Sequence, residues 1–210
     1  LQDLATAIKK AHPSLKPINL EHVPHLKASS IDPHSAKTLV DLLQEYGTQE
    51  PQRPHIYLHD THGAETIITY GDLLRSATAV AQGLLYRGLS PQQTVAIMLP
   101  TSQDFFSAFF GVLIAGGIPV PIYPPFRANL IEEYIKHETK ILTNAMTEIL
   151  ITFTTVTKLS HVLREYVSPL KEVTTVAELS LSHSDSYFPE LDTNQLALIQ
   201  YTSGSTGDPK

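Results

Sequence analysis

The string Tyr201-Thr-Ser-Gly-Ser-Thr-Gly-Asp-Pro-Lys210 carries more potential chemistry than any other stretch of the sequence. Gly204 and Gly207 let the backbone curl and let a ligand approach closely. Consecutive N–H groups in such a curl form an anion-binding concavity, and the hydroxyls of Thr202, Ser203, Ser205 and Thr206 add rotatable donors. Lys210 brings a point charge suited to a terminal phosphate. Each charge-assisted hydrogen bond contributes roughly 1.5–3 kcal/mol. Together these groups would clamp the tail of a nucleoside triphosphate. A bare Gly-Ser-Thr-Gly also suits a solvated turn. The P-loop pattern does not fit, because the two glycines are three apart and Lys210 follows Asp208-Pro209.

Other groups carry weaker signals. His55, His59, Asp60 and His62 are candidate metal ligands, yet a tetrahedral site needs a further orienting ligand and a second shell, so exposed turn histidines are the expectation. Glu132, Glu133 and Glu138 are expected on a solvated helix face. Phe105, Phe106, Phe109 and Phe110 hint at a lipid pocket, but a helix apolar nearly all round is expected deep in the core. No Ser-His-Asp constellation can be argued from spacing, because the fold brings triad members together.

The elements that must position the loop follow from periodicity. Leu196-Ala-Leu-Ile-Gln200 reads as a buried strand feeding it. Further upstream, Leu1, Leu4, Ile8 and Ala11 mark a helical stripe, and Pro13, Pro17, Pro24 and Pro33 break residues 12–34 into an extended arm. Ala36, Leu39, Val40, Leu43 and Tyr46 predict a helix ending at Gly47. Residues 55–60 and 65–69 predict a hairpin, and Thr69 with Asp72 is spaced like a capping box for the next helix, which Gly88 and Pro91 end. Thr94–Leu99 is a predicted buried strand, Gly116-Gly117 stops the Phe-rich helix, and 118–122 is extended. Asn129 with Glu132 predicts a helix cap. A strand at 148–152, a helix through Val156, Leu159, Leu163 and Tyr166, and a strand at 173–176 follow, with 177–194 read as polar loop. Strand and helix thus alternate from residue 94, and the strands are uninterrupted apolar runs. This predicts an α/β fold of three layers, a mostly parallel sheet with helices on both faces and a small hairpin near residues 55–69. In such sheets ligands sit beyond the carboxyl ends of the strands, where the loop after Tyr201 emerges.

Composition narrows the function classes. The 210 residues are 42% apolar, enough for a substantial core, and the net charge is −6 without a basic tract, which argues against nucleic-acid binding. The absence of cysteine excludes disulfides, thiol catalysis and Cys-zinc sites and accords with a cytoplasmic protein. No apolar run is long enough for a membrane span. The sequence opens on Leu and breaks off within a motif, the pattern expected of a piece of a longer protein.

The decapeptide resembles the signature Y-T-S-G-[ST]-T-G-x-P-K-G of the adenylate-forming superfamily: acyl-CoA synthetases, fatty acyl-AMP ligases, peptide-synthetase adenylation domains and luciferases. Every position present matches. Ile68-Thr-Tyr-Gly-Asp-Leu73 is similar to the family's L-[TS]-Y-x-E-L motif, and Leu113–Pro121 to its L-x-A-G-x-x-x-V-P motif. Both read physically as backbone devices, a helix cap and a helix stop. Pro119-Val-Pro-Ile-Tyr-Pro-Pro125 resembles the V-P-x-x-P-P of the fatty acyl-AMP ligases, as does Ala197-Leu-Ile-Gln-Tyr201. The resemblance covers residues 36–210, the N-terminal part of an AMP-binding domain cut at its phosphate loop, and leaves 1–35 as an N-terminal helix and Pro-containing arm.

The resemblance implies that ATP, with Mg2+, and a fatty acid give acyl-adenylate and pyrophosphate, and that the acyl group then passes to the thiol of an acyl carrier protein. Thr202, Ser203, Gly204, Ser205, Thr206, Gly207 and Lys210 would hold the β- and γ-phosphates, although the preceding strand can aim Thr202 or Ser203 away. Tyr201 is expected to pack. The family's catalytic Lys, magnesium-binding Glu and adenine contacts fall downstream, so no catalytic residue is expected within this stretch and the 210 residues alone are expected to be inactive. Three alternatives stay open: an acyl-CoA synthetase, a non-catalytic relative that binds lipid or protein, and a P-loop-type enzyme with an unusual loop.

Overall fold

The structure, a computed structural model, describes residues 29–59, 63–125, 131–181 and 187–202. The predicted helix 1–11, most of the arm that follows, the cap residue Asn129 and the loop residues from Ser203 to Lys210 lie outside them. The chain divides into two units, Leu1–Asp32 and Pro33–Lys210. Of the first, only Ser29–Asp32 are described.

The second unit opens with helix α1, Leu39–Gln49. Thr38 starts it through a complete capping box: its hydroxyl accepts from the Asp41 amide at 3.1 Å, and the Asp41 carboxylate accepts from the Thr38 amide at 2.9 Å. Two orphan amides are thereby satisfied. The helix runs past Gly47, which lies buried against Leu74. Strands β1 (Pro54–His59) and β2 (Glu65–Thr69) form the expected antiparallel hairpin, with Tyr57 opposite Ile67. At its end Thr69 caps α2 (Tyr70–Tyr86), its hydroxyl accepting from the Asp72 amide and donating to the Asp72 carboxylate at 2.7 Å. Leu73, Ala77, Val80, Ala81 and Leu84 of α2 are fully buried.

Four strands then build one parallel sheet: β3 (Thr94–Ile97), β4 (Ile118–Pro121), β5 (Ile149–Thr152) and β6 (Glu172–Thr175), in the order β4-β3-β5-β6. Three helices connect them: α3 (Gln103–Ile114), α4 (Ile131–Asn144) and α5 (Thr157–Tyr166). Successive strand residues point to opposite faces. Val95, Ile97, Ile149 and Ile151 meet α1, α2 and α3 on one side. Ala96, Met98, Val120 and Leu150 meet α4 and α5 on the other. The three-layer α/β architecture is as expected.

Three expectations fail. Residues 177–194 are not all loop, because Val176–Ser180 form a short helix, α6, whose capping box joins Thr175 and Glu178. Its Leu179 is fully buried and its backbone lies against Gly83 of α2, where a Cβ would come 2.2 Å from the Leu179 carbonyl oxygen. The Phe-rich helix α3 is not engulfed. Ser107, Ala108, Gly111 and Val112 form its buried face, and the small ones let it approach α2, while all four phenylalanines stay half-buried.

Leu196–Gln200 is not a buried strand. It is extended, its Leu196 and Leu198 are 61% and 41% exposed, and a single backbone bond, Ile199 N to Pro119 O at 3.2 Å, ties it to β4. The cause lies in β4. Ile118 and Ile122 donate their amides to Gln93 and Ile97 on the β3 side, so the outward amides fall at positions 119 and 121, and both are proline. An edge without donors cannot complete a ladder.

Candidate functional site

A cleft of about 610 Å³ opens at the carboxyl ends of β3 and β4. Its walls come from four segments. Beyond β3 the chain passes through Leu99, Pro100 and Thr101, and Ser102 caps α3 by accepting from the Phe105 amide at 3.3 Å. This turn sets Phe105 and Phe109, one helical turn apart, along the cleft, their rings stacked with centroids 6.3 Å apart. Beyond β4 the proline-rich stretch contributes Ile122, Tyr123 and Pro124, and the Tyr123 ring is 77% exposed. Leu198, Gln200, Tyr201 and Thr202 close the third side.

Leu196 and Ala197 border a second cavity of about 240 Å³ beside Gly116 and Gly117 at the start of β4, whereas Leu198 to Thr202 reach the cleft at its end. The segment therefore runs alongside β4 in the same direction and delivers its last residues to the cleft mouth. Tyr201 packs against the α4–α5 side of the core, and its hydroxyl donates to Asn144 Oδ1 at the end of α4. Burial pushes its phenol up from the ordinary value. Thr202 is exposed and lines the cleft. The other residues of the sequence motif, Ser203 to Lys210, lie outside the described residues.

The fourth wall is α4, and it overturns the expectation of a solvated acidic face. Glu132 and Glu133 are exposed, but Glu138 is not: it is only 4% exposed and lines the cleft. One carboxyl oxygen lies 3.2 Å from His137 Nδ1; the other, Oε2, is buried with no hydrogen-bond partner. Burial pushes the Glu138 carboxyl above its ordinary range, and His137 beside it pulls the other way. The same region holds Tyr134, whose hydroxyl donates to the Tyr123 carbonyl at 2.7 Å and whose phenol is pushed far up by burial and by the nearby Glu138 charge. An orphaned buried carboxyl oxygen costs about 1–3 kcal/mol. The signal was present in the sequence. Ile131, Ile135, Glu138 and Leu142 are spaced four, three and four apart, so Glu138 occupies a position on the apolar stripe.

Of the hairpin histidines, His55 serves packing. His55 is half-buried, stacks on Tyr70 at 4.0 Å, and Tyr70 stacks on Tyr46 at 4.6 Å with the Arg53 guanidinium over the Tyr46 ring. Burial lowers the His55 pKa. His59 lies 3.5 Å from Glu65 across the hairpin, and Asp60 and His62 are outside the described residues. Among the described residues no group of three His, Asp or Glu side chains could hold a metal ion. Nor is any described helix long and apolar enough to cross a membrane.

This arrangement is chemically suited to an amphiphilic ligand. Aromatic and aliphatic side chains form the walls, hydroxyls of Thr101, Tyr201 and Thr202 lie among the polar groups at its edge, and no described lining residue is Lys or Arg. Comparison with known proteins supplies the relationship. The profile of the family described as AMP-binding enzyme matches residues 43–210. A mycosubtilin synthase polypeptide of Bacillus subtilis is 32% identical over 176 residues, which is 83% of this chain and 6% of that protein. The medium-chain-fatty-acid–[acyl-carrier-protein] ligase JamA of Moorena producens is 28% identical over 178 residues, 82% of this chain and 30% of JamA. A solved structure from a study of the fatty acyl-adenylate ligases of E. coli and L. pneumophila superimposes with a TM-score of 0.74 at 26% identity, covering 82% of this chain and 31% of that one. The chain thus spans less than a third of each of these proteins.

Proposed function

The chain belongs to the AMP-binding enzyme family, and from that premise we propose that it is the N-terminal part of the large domain of a fatty acyl-AMP ligase. The enzyme would join a fatty acid to ATP, release pyrophosphate and pass the acyl group to the thiol of an acyl carrier protein. The observation that carries this reading is the cleft itself. Its Phe105, Phe109, Ile122 and Ile141 walls suit an alkyl chain, and it opens where the chain enters the phosphate-binding motif at Thr202. The likenesses to JamA and to the fatty acyl-adenylate ligases support the same acid class.

ATP fits this end of the sheet by donor chemistry: Thr202 stands at the cleft, and Ser203, Gly204, Ser205, Thr206, Gly207 and Lys210 supply the hydroxyls, backbone amides and cation that β- and γ-phosphates require. Mg2+ would arrive with the nucleotide and neutralise phosphate charge as the carboxylate attacks the α-phosphorus. What this chain contributes is binding and orientation. The Tyr201–Asn144 bond and the Ile199–Pro119 bond fix the foot of the motif, and the apolar walls exclude water from the acid's path.

A second reading, activation of an amino acid, is favoured by the likeness to mycosubtilin synthase, which exceeds that to JamA in identity. One experiment separates them. The complete enzyme containing this chain is offered ATP with fatty acids of graded length or with amino acids, and pyrophosphate is measured. Release with medium or long fatty acids supports the proposal, and release with amino acids alone overturns it. Offering coenzyme A against a phosphopantetheinylated carrier protein then identifies the acceptor.

A further inference from the structure

Resting on that reading, we propose that Glu138 is a ligand-contacting residue of the cleft, its free carboxyl oxygen donating a hydrogen bond to an oxyanion of the bound substrate. The oxyanion is a phosphate oxygen of the nucleotide or the carboxylate of the acid, the two anionic groups that must meet at this end of the sheet. Three observations lead there. Glu138 is only 4% exposed, in the wall of the cleft. Its Oε2 has no hydrogen-bond partner, while Oε1 is engaged by His137. It interrupts an apolar stripe on which a leucine would pack without penalty.

A buried polar atom left unmatched in a folded chain calls for an explanation, and a ligand that completes its bonding is one. The chemistry selects the kind of ligand. Burial favours the protonated acid, and an anion placed beside it favours that form further, so the group meets an oxyanion as a donor and not as a repelling charge. A neutral buried carboxyl that donates a hydrogen bond to an anionic oxygen is established enzyme chemistry in other proteins. The charged neighbour acting on Glu138 is His137 on the same helix. Among the described residues, the other titratable groups at this end of the cleft are the phenols of Tyr134 on α4, Tyr123 after β4 and Tyr201 at the cleft mouth, and the described lining includes no Lys or Arg.

The sign of the pH dependence follows. Affinity for the oxyanion is full while Glu138 is protonated and falls as pH rises through its raised pKa, where an ionised carboxylate would repel the ligand. Gln keeps an N–H donor and cannot ionise; Ala cannot ionise and has no donor.

The test uses the complete enzyme with Glu138→Gln, Glu138→Ala and His137→Gln, with KM for ATP and KM for lauric acid followed separately across pH by pyrophosphate release. Glu138→Ala is expected to raise one of the two KM values about tenfold or more, the loss of a hydrogen bond to a charged group, with a smaller change in kcat. The KM that moves identifies the oxyanion. Glu138→Gln should recover part of that loss and abolish the rise of KM toward alkaline pH, while His137→Gln keeps the rise. The proposal is overturned if Glu138→Ala leaves both KM values unchanged, or if Glu138→Gln keeps the wild-type pH profile. Should Glu138→Ala not fold, the Gln profile decides alone. Should the enzyme release no pyrophosphate with any acid, the functional reading fails separately. Calorimetric titration of ATP and of laurate into wild type and Glu138→Gln then reads the same pH dependence from binding.

Discussion

Replacing Glu138 by Gln should make this chain more stable at neutral pH and change it little in acid. The wild-type carboxyl is 4% exposed, with one oxygen 3.2 Å from His137 Nδ1 and the other without a partner. Burial raises its pKa, and His137 offsets that only in part. The folded chain therefore holds the proton more tightly than the unfolded chain does. The stability this confers is fully present below the unfolded carboxyl pKa and is lost as pH rises through the folded one. A Gln side chain has nothing to ionise, so its stability curve lacks that descent. Each tenfold by which the folded chain holds the proton more tightly is worth about 1.4 kcal/mol of this difference. For a chain of this length each such step is roughly 3–6 °C in Tm, at about 2–4 °C per kcal/mol. Urea unfolding followed by circular dichroism, run on both proteins from acid to neutral pH, measures it. Two results would refute the reasoning: stability curves that stay parallel across the whole range, or a Gln variant less stable than wild type at neutral pH. Either would mean that burial does not raise the carboxyl in the folded chain. A group that costs stability where Leu would not is retained for another purpose, which links this measurement to the binding role proposed for Glu138.

Three further outcomes are expected. Gly83→Ala should lower Tm, because its Cβ would sit 2.2 Å from the Leu179 carbonyl oxygen, a backbone atom that cannot swing aside. The overpacking cost of about 1–3 kcal/mol outweighs about 1 kcal/mol gained in helix propensity, and a raised Tm would show that α6 does not dock there. Thr38→Ala removes the hydroxyl of the α1 capping box and should cost about 1 kcal/mol by urea denaturation, with Thr38→Ser close to wild type. The 210-residue polypeptide by itself should release no pyrophosphate from ATP with lauric acid, and clear turnover would show that the catalytic groups lie within it.

The layers of the fold were legible because each core strand announces itself. Val95 to Leu99 and Ile149 to Ile151 are apolar runs buried on both faces, and the alternation with amphipathic helices leaves few topologies open. Boundaries and exceptions were harder. Thr38 and Asp41 spelled a capping box as plainly as Thr69 and Asp72, whereas α6 is too short for a periodic signal and depends on Leu179 finding Gly83. The Phe-rich helix misled because composition reports how apolar a helix is and not which side faces inward. Its small residues Ser107, Ala108 and Gly111 were the inward side, since only they permit the close approach to α2.

At the site, two features of the sequence conflicted with the simple pattern, and both come down to a single atom type in a fixed register. Pro119 and Pro121 alternate, so in a parallel strand they fall on one edge; that edge is the one β4 turns toward Leu196–Gln200, and without amides it holds the segment by one bond in place of a ladder. The segment that leads to Ser203 is therefore anchored by Ile199 and Tyr201 and not by sheet pairing. Glu138 breaks the apolar stripe of α4 at the position that faces the cleft. A proline where a ladder needs a donor and a carboxyl where a core needs a methyl each cost stability. Pro121 and Glu138 both line the cleft at the carboxyl ends of β3 and β4, where an α/β sheet binds its ligands. Local rules broken together, in the place where the architecture puts function, are better explained by a ligand than by separate accidents of packing.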